Sequence, residues 1–226
     1  MKGPTPRRQR KYVAKCLGLK AYLQSPGDGR PQPRIAAAAL LWALLMGELL
    51  RRAAFAAIEA RVGSRARRAL AVSQSFGDDA LGYFTERLDP AVTRRAAVTA
   101  VRHAKRNKAF ENCRFMGLAL DGTGAGRSRQ DLCKWCRPYR NQQKESVGYH
   151  HKLVMISVVG TGLTLPLDVE PYGPKDSECS AGRRLVRRVV ANAGRRFADY
   201  VVGDGEFARA PSCTTSAIWG SLWWPG

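Results

Sequence analysis

Two aspartates sit where a sequence could do chemistry. Asp121 closes the apolar run FMGLALD and is followed by Gly122, and Asp204 closes YVVGD and is followed by Gly205. Two carboxylates brought together repel and raise one another's pKa unless a cation lies between them. A set of oxygen donors selects Mg2+ or Mn2+ over zinc. Acting on a phosphodiester, two such ions would hold the attacking and leaving oxygens of an in-line displacement. Either Asp-Gly pair alone is ordinary turn chemistry. The pair gains meaning only if the fold sets both residues at the ends of neighbouring strands.

A second group offers sulfur and nitrogen. Cys133-x-x-Cys136 is followed by His150 and His151, and a Cys-x-x-Cys knuckle suits tetrahedral zinc. Adjacent histidines on a strand point to opposite faces, so only one can easily join. The expected set is Cys133, Cys136 and His150, with Cys113 or Cys179 to complete it. The competing reading is a polar loop with two incidental thiols. The same insert interleaves Lys134, Trp135, Arg137, Tyr139 and Arg140, which suits stacking on a splayed base or contact with phosphate. No G-x-S-x-G is present for a serine hydrolase. Gly122, Gly124 and Gly126 lack the Lys-Ser/Thr pair of a phosphate-binding loop. Glu178 reads as a helix cap or an arginine partner and receives no catalytic role.

The elements that must position these groups follow from the hydrophobic pattern. Residues 1–34 are basic and broken by prolines, which reads as a DNA-contacting arm or a solvated terminus. Residues 34–70 are rich in Ala, Leu and Arg, which are strong helix formers; Gly47 and Gly63 are expected to end turns. Ser73 or Ser75 is expected to cap a helix near Asp78–Arg87. Asp89-Pro90 is a helix start. Val92, Ala96, Ala97, Val101 and Ala104 then repeat on one face out to about Lys108, and Arg94, Arg95, Arg102, Lys105, Arg106 and Lys108 form a basic face expected to contact DNA. From residue 115 the pattern becomes apolar and β-branched. Phe115–Gly124, His150–Gly160 and Leu163–Gly173 read as strands, the last two joined as a hairpin through Gly160-Thr161-Gly162. A helix capped by Ser177 or Asp176 follows, with Leu185, Val186, Val189, Val190, Ala193 and Phe197 on one stripe. Tyr200–Phe207 reads as a final short strand. A meander followed by a right-handed crossover can return that strand parallel to the first, which brings Asp121 and Asp204 to one edge of the sheet, where ligands commonly bind.

The whole chain has 38 Lys+Arg against 18 Asp+Glu, a net charge of +20 over 226 residues, with 45% hydrophobic residues. There is apolar material for a core, and the charge points to a polyanionic partner, nucleic acid first. The longest apolar stretch, residues 35–47, is well short of the ~20 residues a membrane span needs, so a membrane is not an expected partner. With no export signal, the six cysteines are expected to be reduced and the protein cytoplasmic.

Four segments carry a family resemblance: ALDGTG around Asp121, RNKAF (Arg106–Phe110), PLDVEPYGPKDSECSAGRRL (Pro166–Leu185) and VVGDGEFARAP (Val201–Pro211). In this order and spacing the chain resembles the DDE transposases of bacterial insertion sequences, whose core is RNase H-like. The resemblance implies an α/β fold, with a basic, mostly helical DNA-binding region at 1–110. A partial RNase H-like core would follow at 111–211, with a three-strand meander, a crossover helix and a fourth strand parallel to the first. It implies that Asp121 and Asp204 are the first two acidic ligands of Mg2+ (or Mn2+). Water would then nick a DNA strand, and the freed 3′-hydroxyl would attack a second phosphodiester. Double-stranded DNA, as element ends and target, is the expected partner, along with further copies of the chain as a homo-oligomer.

The family also uses a third acidic ligand, a Glu on a helix well beyond the second Asp. After Asp204 the chain holds only Glu206, which would share the side of Asp204 if the strand continued. Residues 212–226 read as an aberrant or truncated tail, so weak or absent transposition is expected of this chain alone. The alternatives are a non-catalytic DNA-binding remnant and a general nucleic-acid-binding protein whose two aspartates only form turns.

Overall fold

The structure is a computed structural model. It describes all residues except 1–4, 25–26, 71, 111–113, 144, 161, 163, 208–222 and 226. The chain divides into two compact units, Met1–Ala109 and Phe110–Gly226.

The first unit is helical: α1 Pro6–Lys15, α2 Lys20–Gln24, α3 Ala37–Leu49, α4 Phe55–Gly63, α5 Arg67–Leu70, α6 Asp78–Arg87 and α7 Pro90–Arg106. The segment expected to be an arm or a solvated terminus thus supplies two helices, and Val13 of α1 is buried in the core of this unit. Apolar residues surround α3, so it can be covered on several sides. It buries Leu40, Trp42, Ala43, Met46 and Gly47 in a cluster that also holds Ile58 and Val62 of α4 and Leu81 and Phe84 of α6. Gly47 does not end a turn. It lies inside α3 because a Cβ there would come within 2.7 Å of the Ile58 side chain and 3.0 Å of the Arg52 carbonyl oxygen. Gly63 does end α4. Neither serine caps α6; Gly77 holds that position.

Asp89 caps α7 as expected, accepting from the Ala91 N–H at 2.9 Å, with Pro90 at the first turn. Val92 and Val101 are buried, together with Val98, while Ala96, Ala97 and Ala104 are half-buried. The helix stops at Arg106, so Lys108 lies beyond it with a positive φ of 61°.

Arg30, only 8% exposed, holds this unit's most buried ion pair. Its Nε and Nη2 donate to the two oxygens of Asp28, each at 2.8 Å, and Nη2 also donates to the Ile35 carbonyl at 2.7 Å. These hydrogen bonds hold the Asp28 carboxyl below the ordinary carboxylate range, against a desolvation that raises it. Removing one partner leaves a buried charge uncompensated. Asp28→Ala is therefore expected to cost about 3 kcal/mol in urea unfolding at pH 7. A depressed folded pKa means this stability is complete above the unfolded value of about 3.9 and is lost as pH falls through the lower folded value. The gap between wild type and variant should therefore close only in acid; a gap that is constant from neutral pH into strong acid would contradict the assignment.

Among its described residues the second unit is a mixed sheet with one helix: β1 Gly117–Ser128, β2 Arg137–Arg140, β3 Ser146–Val159, β4 Leu165–Tyr172, α8 Glu178–Ala193, β5 Tyr200–Gly203 and β6 Trp223–Pro225. The strand order is β2-β3-β1-β5-β6, with β4 also on β3. β1 is antiparallel to β3, and β3 is antiparallel to both β2 and β4. β5 runs parallel to β1, and β6 parallel to β5. The expected meander, crossover helix and parallel return are all present.

Three details differ from the expected sheet. β1 does not stop at its glycines, because β3 pairs with it as far as Ser128↔Tyr149. Part of the polar insert forms β2. The expected tail supplies β6, which pairs with the open edge of β5; residues 212–222 of that tail lie outside the described residues.

Ser177 caps α8, its side chain accepting from the Ser180 N–H. Leu185, Val186, Val189 and Ala193 are buried as the stripe requires, Val190 is half-buried, and Phe197 is buried beyond the helix. The opposing basic residues are not simply solvated. Arg188 reaches Asp168 and Glu170 of β4, and Arg184 reaches Glu170 and Asp176.

Candidate functional site

The parallel register of β1 and β5 runs from Gly117↔Tyr200 to Leu120↔Gly203. The next residue on each strand is Asp121 on one and Asp204 on the other. Strand neighbours lie about 4.8 Å apart in the pairing direction, so two residues far apart in sequence become adjacent. Alternation fixes the face. The Tyr200 ring lies where a side chain at Gly117 would point, so Gly117, Ala119 and Asp121 share a face with Tyr200 and Val202. The other face carries the buried Leu118, Leu120 and Val201, and beyond them Gly122, against which the α8 residue Glu178 rests its carboxylate. Asp121 therefore occupies the face opposite α8, and Asp204 follows the residue of β5 that pairs with its neighbour Leu120.

Asp121 is not at the end of its strand, as the pattern predicts, but where β1 loses β5 as a partner and continues with β3 alone. Asp204 follows β5, which ends at Gly203 and not at Phe207 as the pattern predicts. Its Oδ1 accepts from the Glu206 N–H at 3.0 Å, and its carbonyl from the Phe207 N–H at 3.0 Å. The strand thus turns at Asp204 and does not carry Glu206 onward in register. Phe207 anchors the turn. It is 1% exposed, and its ring packs against Gly182 of α8, where a Cβ would come within 2.6 Å. Sequence reading passed over Phe207, although a lone aromatic two residues after Asp-Gly is a visible signal.

Both aspartates are exposed. Among the described residues neither has a salt-bridge partner. The donor set, two carboxylates open to solvent, fits a hard divalent cation.

Glu178 accepts from the Tyr172 hydroxyl at 2.8 Å. Burial, and then the Glu178 carboxylate, push the Tyr172 phenol well above its ordinary value. Glu178 thus fills a structural position on the far side of β1 from Asp121.

No family model and no curated protein matches the chain. Among solved structures, it is similar to the piggyBac transposase in a synaptic complex with hairpin DNA, at 15% identity and a TM-score of 0.36. The match covers 90% of this chain and 44% of that one, so the chain spans less than half the length of that transposase. A likeness at this level carries no weight for fold or activity.

The thiol cluster differs from the expected one in its histidine. Cys133 Sγ and Cys136 Sγ lie 3.3 and 3.2 Å from Nε2 of His151, not of His150. His150 lies on the other face of β3, its ring 6.4 Å from that of Tyr139 in an edge-on contact. Burial, and then the charges of Lys152, Arg137 and Arg127, hold His150 below the usual histidine pKa. Cys179 does not complete the set; its thiol donates to the Glu206 carbonyl. Cys113 lies outside the described residues. No helix among the described residues is long and apolar enough to cross a membrane.

In the first unit, Arg95, Arg102, Lys105, Arg106 and Lys108 are exposed and Arg94 is half-buried. Arg94, Arg95, Arg102 and Lys105 lie three, four or seven positions from Val98 and so flank that buried residue on its side of α7, Arg106 continues the same row from Arg102, and Lys108 follows the helix.

Proposed function

We propose that the chain is a DNA transposase core of the DDE type, with an RNase H-like second unit that cleaves phosphodiesters using Mg2+ held by Asp121 and Asp204. One observation supports this reading: the β1–β5 register runs up to the residues just before Asp121 and Asp204, both of them exposed and without a salt-bridge partner among the described residues. The strand order supports it, with an antiparallel meander on one side of β1 and parallel strands on the other.

When bound, Mg2+ supplies Lewis-acid polarisation of the phosphodiester and stabilises the leaving oxygen. The chain's own residues supply the carboxylate oxygens that orient the cation. The turn anchored by Phe207 fixes one of them, and the pairing of β1 with β3 fixes the other. The test is nicking of supercoiled plasmid by the purified chain, with and without Mg2+. Metal-dependent nicking lost in Asp121→Ala supports the reading, and metal-independent nicking, or nicking unchanged by that substitution, overturns it.

A second reading follows from the hydrogen bond that Asp204 accepts from Glu206. Asp204 would then only shape a turn, and the chain would bind nucleic acid without cleaving it. Metal dependence separates the two readings; DNA affinity does not.

Either way, the exposed side of α7 is the proposed DNA contact. Each phosphate contact contributes about 0.9 to the slope of log affinity against log salt. Arg95→Ala combined with Arg106→Ala should reduce that slope by about 2 and weaken binding uniformly across sequences. Fluorescence anisotropy across a salt series measures both, and an unchanged slope would remove α7 from the interface.

A further inference from the structure

The three ligand atoms of Cys133, Cys136 and His151 all lie within 4.8 Å of one another, and no other group of three or more metal-binding side chains stands so close among the described residues. The two Sγ atoms are 3.8 Å apart, nearly twice a disulfide bond length of about 2.05 Å. Tetrahedral zinc, with Zn–S of about 2.3 Å and Zn–N of about 2.0–2.1 Å, sets its ligands about 3.8 Å apart for S···S and about 3.6 Å for S···N. The observed 3.8, 3.3 and 3.2 Å match that triangle to within a few tenths of an ångström.

Separate elements assemble the triangle. A tight turn brings the thiols together, with the Cys136 N–H donating to the Cys133 carbonyl at 2.9 Å. β3 supplies the nitrogen, and its alternation decides which histidine does so. The register shift between Ala125 and Arg127 on β1 sets His151 opposite Ala125 and His150 opposite Arg127.

We propose that Cys133 Sγ, Cys136 Sγ and His151 Nε2 bind one Zn2+. Two thiol protons leave as two Zn–S bonds form, and the imidazole gives its lone pair to the third bond. The charges of two thiolates and one Zn2+ cancel, so the site adds no net charge. Three protein ligands leave a fourth tetrahedral position that a water could take, since Cys133 is exposed. The ion ties the turn at 133–136 to β3, and next to that turn Arg137 donates to the Gly173 carbonyl at 3.2 Å and lies 5.1 Å from the Tyr172 ring. The Tyr172 hydroxyl in turn donates to Glu178 beside Gly122. Zinc thus braces the insert against the strands that carry Asp121. It also holds in place Lys134 and Trp135, which pair as cation over ring at 4.9 Å.

The test uses the full chain, reduced and stripped of metal, titrated with Zn2+ and separately with Co2+. One metal per chain is expected, with the thiolate-to-cobalt charge-transfer absorption of a sulfur-ligated site. Zn2+ should protect Cys133 and Cys136, but not Cys179, from alkylation as read by mass spectrometry. His151→Ala should weaken zinc binding roughly 100-fold or more, whereas His150→Ala should leave it unchanged. The alkylation arm uses wild-type protein, so a variant that fails to fold leaves the proposal testable. Failure to bind Zn2+, equal alkylation of Cys133 with and without Zn2+, or equal losses from the two histidine variants would overturn it. None of these outcomes bears on cleavage at Asp121 and Asp204.

Discussion

Asp204→Ala and Asp121→Ala should each bring Mg2+-dependent nicking down to background while leaving the unfolding transition of the second unit in place. The expected loss is large because a divalent cation contributes several kcal/mol of charge stabilisation to phosphodiester cleavage, and about 4 kcal/mol corresponds to roughly a thousandfold in rate. Metal binding serves as a second readout. Mn2+ binding followed by electron paramagnetic resonance should weaken in each variant. Both side chains are exposed, so their removal leaves no cavity and no buried unpaired charge, and stability should change by no more than about 0.5 kcal/mol. A variant that keeps Mn2+ affinity and nicking at wild-type levels would sink the site. Loss of nicking accompanied by unfolding would instead assign Asp204 to its turn.

Arg188→Ala should be among the most destabilising single changes in the second unit, at about 3 kcal/mol. The Arg188 guanidinium donates from Nε to Asp168 at 2.7 Å, from Nη2 to the Val169 carbonyl at 2.8 Å, and from Nη1 to Glu170. Asp168 is itself buried. Burial works against the charge on Arg188, but its hydrogen bonds to Asp168 and Glu170 outweigh it and hold the group above its ordinary pKa. Truncation leaves two carboxylates beside each other, one of them buried. Arg184→Ala is the control. That side chain is 42% exposed although it bonds the same Glu170, so screening should limit its loss to about 1 kcal/mol or less. Urea unfolding of both variants decides the matter, and equal losses would mean that burial does not set the strength of these pairs. The consequence reaches the site, because Arg188 fastens α8 to β4, and α8 supplies Gly182, on which Phe207 and the Asp204 turn rest.

Much of the secondary structure was legible because its causes are local. Asp89-Pro90 starts α7 and Ser177 starts α8 through bonds to N–H groups two or three residues away. The stripe on α8 is a matter of spacing, and two β-branched or alternating runs around Gly160 and Gly162 suffice for a hairpin. Less local features were misread. Gly47 looks like a stop in isolation and becomes a close-approach point only when Ile58 lies against it. The glycines after Asp121 look like the end of a strand, yet fourteen residues of β3 offer hydrogen bonds that carry β1 past them.

The sequence by itself determined the two carboxylates, the two thiols, the positive charge and the order of strands and helix, because residue type, spacing and near-neighbour hydrogen bonds are all contained in it. Only the tertiary structure decided that Asp121 and Asp204 follow paired residues of β1 and β5, that Glu178 lies on the other face of β1 from Asp121, and that His151 rather than His150 meets the cysteines. The reason is common to all three. Strand side chains alternate, so a register offset of one residue exchanges the faces, and register is set by pairing with a distant segment that no local pattern specifies.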